Sequence, residues 1–145
     1  NPLARCYFIN EIPQHDLKLA VHQEVAIIGF PRGFCAQGIF PIWKRGTIAA
    51  EPDIAREDNL PIYLVDTATR EGMSGSPVYL IARGVAAEEN GTMSLLTGDA
   101  IRFLGVYSGR YGSESDMQLG RVWSTGALEQ LLNDPKPGSY ELRKS

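Results

Sequence analysis

Histidine and cysteine are the scarce residues of this chain, with two of each among 145. Cys6 and Cys35 are too few for the dense disulfide framework that stabilises small secreted domains, and two free thiols are the expectation. His15 and His22 have no cysteine close by and no helical His-Glu pattern, so no metal site is expected. Nothing in the sequence points to a cofactor. No apolar stretch approaches the roughly 20 residues of a membrane-spanning helix. No secretory signal pattern opens the chain, and it begins Asn1-Pro2 rather than with methionine, which points to a processed or trimmed N-terminus. The missing signal and the few cysteines favour a cytoplasmic over a periplasmic or secreted location. An excess of positive charge is also lacking. The net charge of −3 argues against a general nucleic-acid surface. There is no internal repeat and no low-complexity tract.

What the chain does have is enough apolar material for one core. Hydrophobic residues make up 43% of a length that suits a single domain. Most of that material falls in short β-type runs bounded by glycine and proline. Residues 1–20 read as an extended lead-in, with a short strand at Arg5–Ile9. Glu24–Phe30 is a strand with the continuous β-branched run Val25-Ala26-Ile27-Ile28, and Pro31-Arg32-Gly33-Phe34 is a turn. Further strands are expected at Lys44–Ala50, Pro61–Val65, Val78–Ala82, Ile101–Ser108 and Leu119–Trp123. Arg83–Asp99 reads as a loop or hairpin, with Glu88-Glu89-Asn90-Gly91 as its turn and Thr92–Leu96 as a short strand. Gly109–Gln118 is polar and reads as flexible.

After Trp123 the period changes. Leu128, Leu131 and Leu132 fall at helical spacing, with Ser124 or Thr125 as N-cap and Asn133-Asp134-Pro135 as the stop. The barrel and its helix thus occupy 21–134, and 135–145 is a Pro/Gly/charged tail expected to fray. The expected fold is all-β: a six-stranded antiparallel Greek-key barrel with a C-terminal α-helix.

Chemistry concentrates in Arg70-Glu71-Gly72-Met73-Ser74-Gly75-Ser76-Pro77-Val78. Glycines at 72 and 75 open backbone conformations closed to other residues. A turn built this way can aim the amides of Gly72 and Ser74 at one point beside the Ser74 hydroxyl. That pairs an oxyanion hole with a candidate nucleophile. Pro77 suits the first residue of a strand. The plain alternative is a Gly/Ser-rich loop between strands. An α/β-hydrolase elbow does not fit, because it needs glycine two residues after the serine and a helix next. Ser76 holds that position, and a β-type run follows.

The segment Gly72-Met73-Ser74-Gly75-Ser76-Pro77-Val78 resembles the nucleophile loop of chymotrypsin/trypsin-like serine peptidases. The likeness extends to Val25-Ala26-Ile27-Ile28-Gly29-Phe30-Pro31-Arg32-Gly33, which resembles the start of the second barrel in bacterial trypsin-like peptidases. Arg45-Gly46-Thr47-Ile48-Ala49 and Leu64-Val65-Asp66-Thr67-Ala68 look like the next two strands. Leu104-Gly105-Val106-Tyr107-Ser108-Gly109 looks like the strand lining the substrate cleft. The resemblance spans about Val21–Leu132 and covers only the second of the family's two barrels. It implies a serine endopeptidase in which Ser74 attacks a peptide carbonyl while the amides of Gly72 and Ser74 hold the oxyanion. The catalytic histidine and aspartate would come from a first barrel upstream of this sequence, in the same precursor or another chain.

Family position places Ala68 and Thr69 at the base and wall of the primary pocket, which implies a small or apolar substrate side chain. Asp66 is expected to be a hydrogen-bonded structural residue. The backbone of Tyr107, Ser108 and Gly109 would pair with an extended substrate. Met73 stands where many members carry an aspartate that pairs with a new N-terminus after activating cleavage, so that route is not expected here. Its simpler role is an apolar plug. His15 and His22 fall on the outside of the opening strand and are not the expected base. Trp43, Phe34 and Phe40 are candidates for the apolar wall facing the first barrel. The rival reading is a catalytically inactive trypsin-like scaffold or binding domain, and a further one is a purely structural β-domain.

Overall fold

The chain's short β-branched runs become strands that close on one another. The structure, a computed structural model, describes residues 11–53, 60–111 and 118–136. Among them are eight strands: β1 (Glu24–Gly29), β2 (Ile42–Ile48), β3 (Ile62–Asp66), β4 (Pro77–Ala82), β5 (Val85–Ala87), β6 (Met93–Leu95), β7 (Ala100–Arg110) and β8 (Leu119–Ser124). One helix, α1, follows at Thr125–Asn133. The expected strand at Arg5–Ile9, Cys6 and the end of the tail lie outside the described residues.

Six strands form a closed barrel in the order β1-β2-β3-β8-β7-β4, and each adjacent pair is antiparallel. The remaining two, β5 and β6, make a separate hairpin. Its turn is the predicted one: the Gly91 amide donates to the Glu88 carbonyl at 2.9 Å.

Alternation explains the closure. In β8, Gly120, Val122 and Ser124 are buried while the residues between them are more exposed, as a strand with one face on the core requires. The central run of β1, Val25-Ala26-Ile27, is buried throughout. Val25, Ile27, Ile48, Val65, Met73, Val78 and Val122 are fully sealed and form one cluster. Each side chain of this size contributes roughly 1.5–3 kcal/mol on burial. Leu17 belongs to the same cluster and pairs by a backbone bridge with Glu88. The lead-in therefore helps build the barrel instead of lying apart from it.

The expected helix is present, and one further expectation needs correction. The helix forms where the leucine spacing predicts, but no residue of α1 is buried, and Leu131 and Leu132 are exposed. Ser124 occupies the N-cap position without a capping side-chain hydrogen bond. Strand β7 also outruns its predicted end and reaches Arg110, inside the stretch expected to be flexible. A bulge between Tyr107 and Gly109 bends it there.

Candidate active site

Strand β4 begins at Pro77, and the loop before it is a run of tight turns, not a helix. Met73 is fully buried and anchors the loop to the core, while Ser74 on its next residue is exposed. The chain turns sharply on both sides of Met73 and Ser74, and glycine supplies the positive φ that these turns use. Gly72 has φ +87° and Gly75 φ +88°. Gly72 also sits too close to its neighbours for any side chain: a Cβ there would lie 2.7 Å from the Phe30 carbonyl oxygen and 2.9 Å from the Arg32 nitrogen.

Backbone hydrogen bonds fix the loop from three sides. The Arg32 amide, in the turn after β1, donates to the Glu71 carbonyl at 2.6 Å. The Gly75 amide donates to the Tyr107 carbonyl at 2.8 Å, and the Tyr107 amide to the Ser76 carbonyl at 2.9 Å. Inside the loop, the Met73 amide reaches the Arg70 carbonyl and the Ser76 amide the Met73 carbonyl, at 3.3 and 3.0 Å. The amides of Gly72 and Ser74 have no acceptor among the described residues. Two unpartnered N–H groups thus flank Met73, one of them on the serine itself. The Ser74 Oγ would lie 3.6 Å from a Cβ placed on Gly109, so the hydroxyl faces the bulged end of β7.

Beside Ser74 is a cavity of about 320 Å³, lined by Arg32, Thr69, Arg70, Glu71, Ser74, Tyr107, Gly109 and Arg110. Its deepest lining residues, Thr69 and Tyr107, are each only 1% exposed, and the Thr69 Oγ1 and the Tyr107 hydroxyl are hydrogen-bonded to each other. The Tyr107 ring lies over Gly120, where a Cβ would stand 2.4 Å from a ring carbon. Arg110 donates from Nη2 to the Thr69 carbonyl at 2.9 Å and ties the two walls together.

Of the residues singled out from sequence, Ser74, Thr69, Tyr107 and Gly109 line this cavity. Ala68 is exposed and does not, and Ser108 sits in the bulge. Asp66 ends β3 in an exposed position with no side-chain hydrogen bond among the described residues, not the structural bond expected of it. Sequence reasoning missed Arg32, Arg70, Glu71 and Arg110 as lining residues. Arg70, Glu71 and Arg110 adjoin residues already singled out and were within reach. Arg32 is brought in only by the turn after β1.

Ser108 to Arg110 extend β7 past the start of β4. There the pairing runs only to β8 among the described residues, which leaves one backbone edge open beside Ser74. Neither histidine is near. His15 Nδ1 sits 3.3 Å from the backbone of Ile101, at the other end of β7, roughly 26 Å from Gly109 at about 3.3 Å per residue. The His22 amide bonds to the Ile48 carbonyl at the far end of β1, a strand about 17 Å long by the same measure. Among the described residues no cluster of His, Cys, Asp and Glu could hold a metal ion. Cys35 is half-buried and free.

The connection from β1 to β2, which holds the loop through Arg32, carries exposed apolar residues. Phe34 is 66% exposed, and Trp43 at the start of β2 is 65% exposed, with Ile39 and Phe40 between them also open. Compared with known proteins, the chain matches no family model and no curated protein.

Proposed function

We propose that this chain is the nucleophile-bearing half of a serine endopeptidase. It supplies Ser74 and an oxyanion site, and a partner barrel supplies the histidine and aspartate. One observation carries the reading: an exposed serine in a glycine turn whose own amide, and the amide two residues before, have no acceptor. In such a site the Ser74 hydroxyl attacks a peptide carbonyl and the carbonyl oxygen gains negative charge. The amides of Gly72 and Ser74 then donate hydrogen bonds to that oxygen and stabilise its charge. Each such donor is worth on the order of 10²–10³ in rate, because it is already oriented when charge develops. The acyl-enzyme is later released by water. A histidine from the partner barrel, in the same precursor or another chain, would take the Ser74 proton and return it to the leaving amine.

Two further features support the reading. The open edge of Ser108–Arg110 can add a substrate as one more antiparallel strand, which lays the scissile bond beside the serine. The exposed Phe34, Ile39, Phe40 and Trp43 lie on the connection that touches the nucleophile loop, where a first barrel would dock.

The distance from Ser74 to both histidines of the chain favours a second reading, a protease-like scaffold with no base. A fluorophosphonate probe separates the two. Labelling of Ser74 in the intact protein, absent in Ser74→Ala, supports the peptidase. A folded protein with no labelling supports the scaffold.

A further inference from the structure

The cavity beside Ser74 is polar in a particular way. Its floor is the Thr69–Tyr107 hydroxyl pair, and neither oxygen has another partner among the described residues. Two hydroxyls carry two protons, and their mutual bond uses one. The other is left to point at an acceptor. With both residues 1% exposed, the place for that acceptor is the cavity. The lining residues include three arginines, Arg32, Arg70 and Arg110, against one acidic residue, Glu71. All four are exposed, and Arg110 is held in place by its bond to the Thr69 carbonyl.

From this arrangement we infer that the pocket selects a substrate side chain ending in a carboxylate, glutamate or aspartate, immediately before the cleaved bond. This deepens the peptidase reading and rests on it. It also replaces the small or apolar preference inferred from Ala68 and Thr69, since Ala68 does not line the cavity.

The chemistry discriminates among candidate side chains. A carboxylate only accepts hydrogen bonds, so it takes the spare hydroxyl proton at the floor and the N–H groups of Arg110 above it. An ammonium cannot accept, and it would meet a net positive rim. A leucine would seal an unpaired O–H under hydrocarbon, a situation native interiors avoid. A carboxamide can accept the floor proton but gains nothing from the rim charge. The cavity, about 320 Å³, is at the small end for ligand sites and suits one side chain.

Two measurements on the intact protein test this. The first compares cleavage of quenched peptides that differ only at that position: Glu, Asp, Gln, Leu and Lys. The expected result is kcat/KM at least tenfold higher for Glu or Asp than for Leu or Lys, with the advantage shrinking as salt is raised. In Arg110→Gln the ratio of Glu to Leu cleavage should fall at least tenfold. Glutamine keeps a donor for the Thr69 carbonyl, and a ratio within one sample is unaffected by any unfolded fraction. Equal rates, or a preference for Lys or Leu, in a protein that labels with fluorophosphonate would overturn the specificity and leave the peptidase reading standing.

The second measurement needs no catalysis: titration of acetylated peptides ending in Glu, Gln or Leu, followed by NMR shifts at Thr69 and Gly109. Tighter binding of the Glu peptide supports the pocket chemistry even where labelling fails. Equal affinities sink it.

Discussion

The two ends of β7 are held by different physics. At its beginning, charge does the work. Arg102 donates both to the Leu17 carbonyl and to Glu89, and Glu89 in turn accepts from the Leu19 amide at 3.4 Å. Nearby, Arg83 and Asp99 form a second pair at 2.7 Å. At its far end, beside Ser74, the bonds are mostly backbone to backbone, in turns with glycine at positive φ at 72 and 75. Exposed ion pairs hold long side chains against competing water and salt, so each is worth little and can be replaced. A backbone turn with positive φ and no room for a Cβ has no substitute. The lead-in end can therefore drift in sequence, while the end beside Ser74 is restricted by backbone geometry around Gly72.

Substitutions should separate the ends by effect. The largest belongs to Ser74→Ala. If the serine is the nucleophile, hydrolysis should fall by roughly 10⁶, the scale seen when a triad nucleophile is removed. The melting temperature should barely move, because the residue is exposed and makes no hydrogen bond beyond its own turn. A comparable loss of stability would mean that the hydroxyl serves the fold. Gly72→Ala comes next and should cost both. The positive φ alone is worth roughly 1–3 kcal/mol, and the 2.7 Å approach to the Phe30 oxygen adds to it. Denaturant melts should show the loss and probe labelling should vanish. Retention of both would show that the turn can rearrange.

Gly120→Ala is subtler. Its φ is ordinary, so the cost is packing against the Tyr107 ring, about 1–3 kcal/mol for an overfilled site. The displaced ring should change selectivity among substrates by more than it changes labelling of Ser74. Equal effects on both would argue against Tyr107 as part of the pocket floor.

The smallest effect is expected at the other end of the strand. The hydrogen bond from Arg102 holds the Glu89 carboxyl below its usual range. A carboxyl whose folded pKa is depressed stabilises the protein above its unfolded pKa, near 4.3, and that contribution is lost as pH falls through the folded value. Acid titration of stability should show this loss below about pH 4, and Glu89→Gln should flatten it. The change at neutral pH should stay under about 1 kcal/mol, since the pair remains partly open to solvent. A larger loss would mean that the lead-in depends on this pair, and the contrast between the two ends would weaken.

Much of the molecule was legible before any coordinates. The six barrel strands, the Glu88–Gly91 turn and the start of α1 follow from local periods and turn residues, which act through near neighbours along the chain. The glycine spacing around Ser74 was equally readable, because a positive φ is a property of one residue and its peptide planes. The exposed Phe34, Phe40 and Trp43 were marked from sequence as well.

What periodicity could not supply was juxtaposition. Thr69 and Tyr107 are 38 residues apart and meet only through the pairing of strands distant in sequence. Arg32 reaches the cavity only because the turn after β1 is bonded to Glu71. Leu17, in a segment that reads as a lead-in, is sealed in the core and bridged to Glu88 beyond the end of β5. The amino-acid order by itself determined strands, turns and a serine held out on a glycine loop, since these depend on the torsions of neighbouring residues. Only the closed barrel decided which charges surround that serine and how far away both histidines lie, because those distances depend on register across strands.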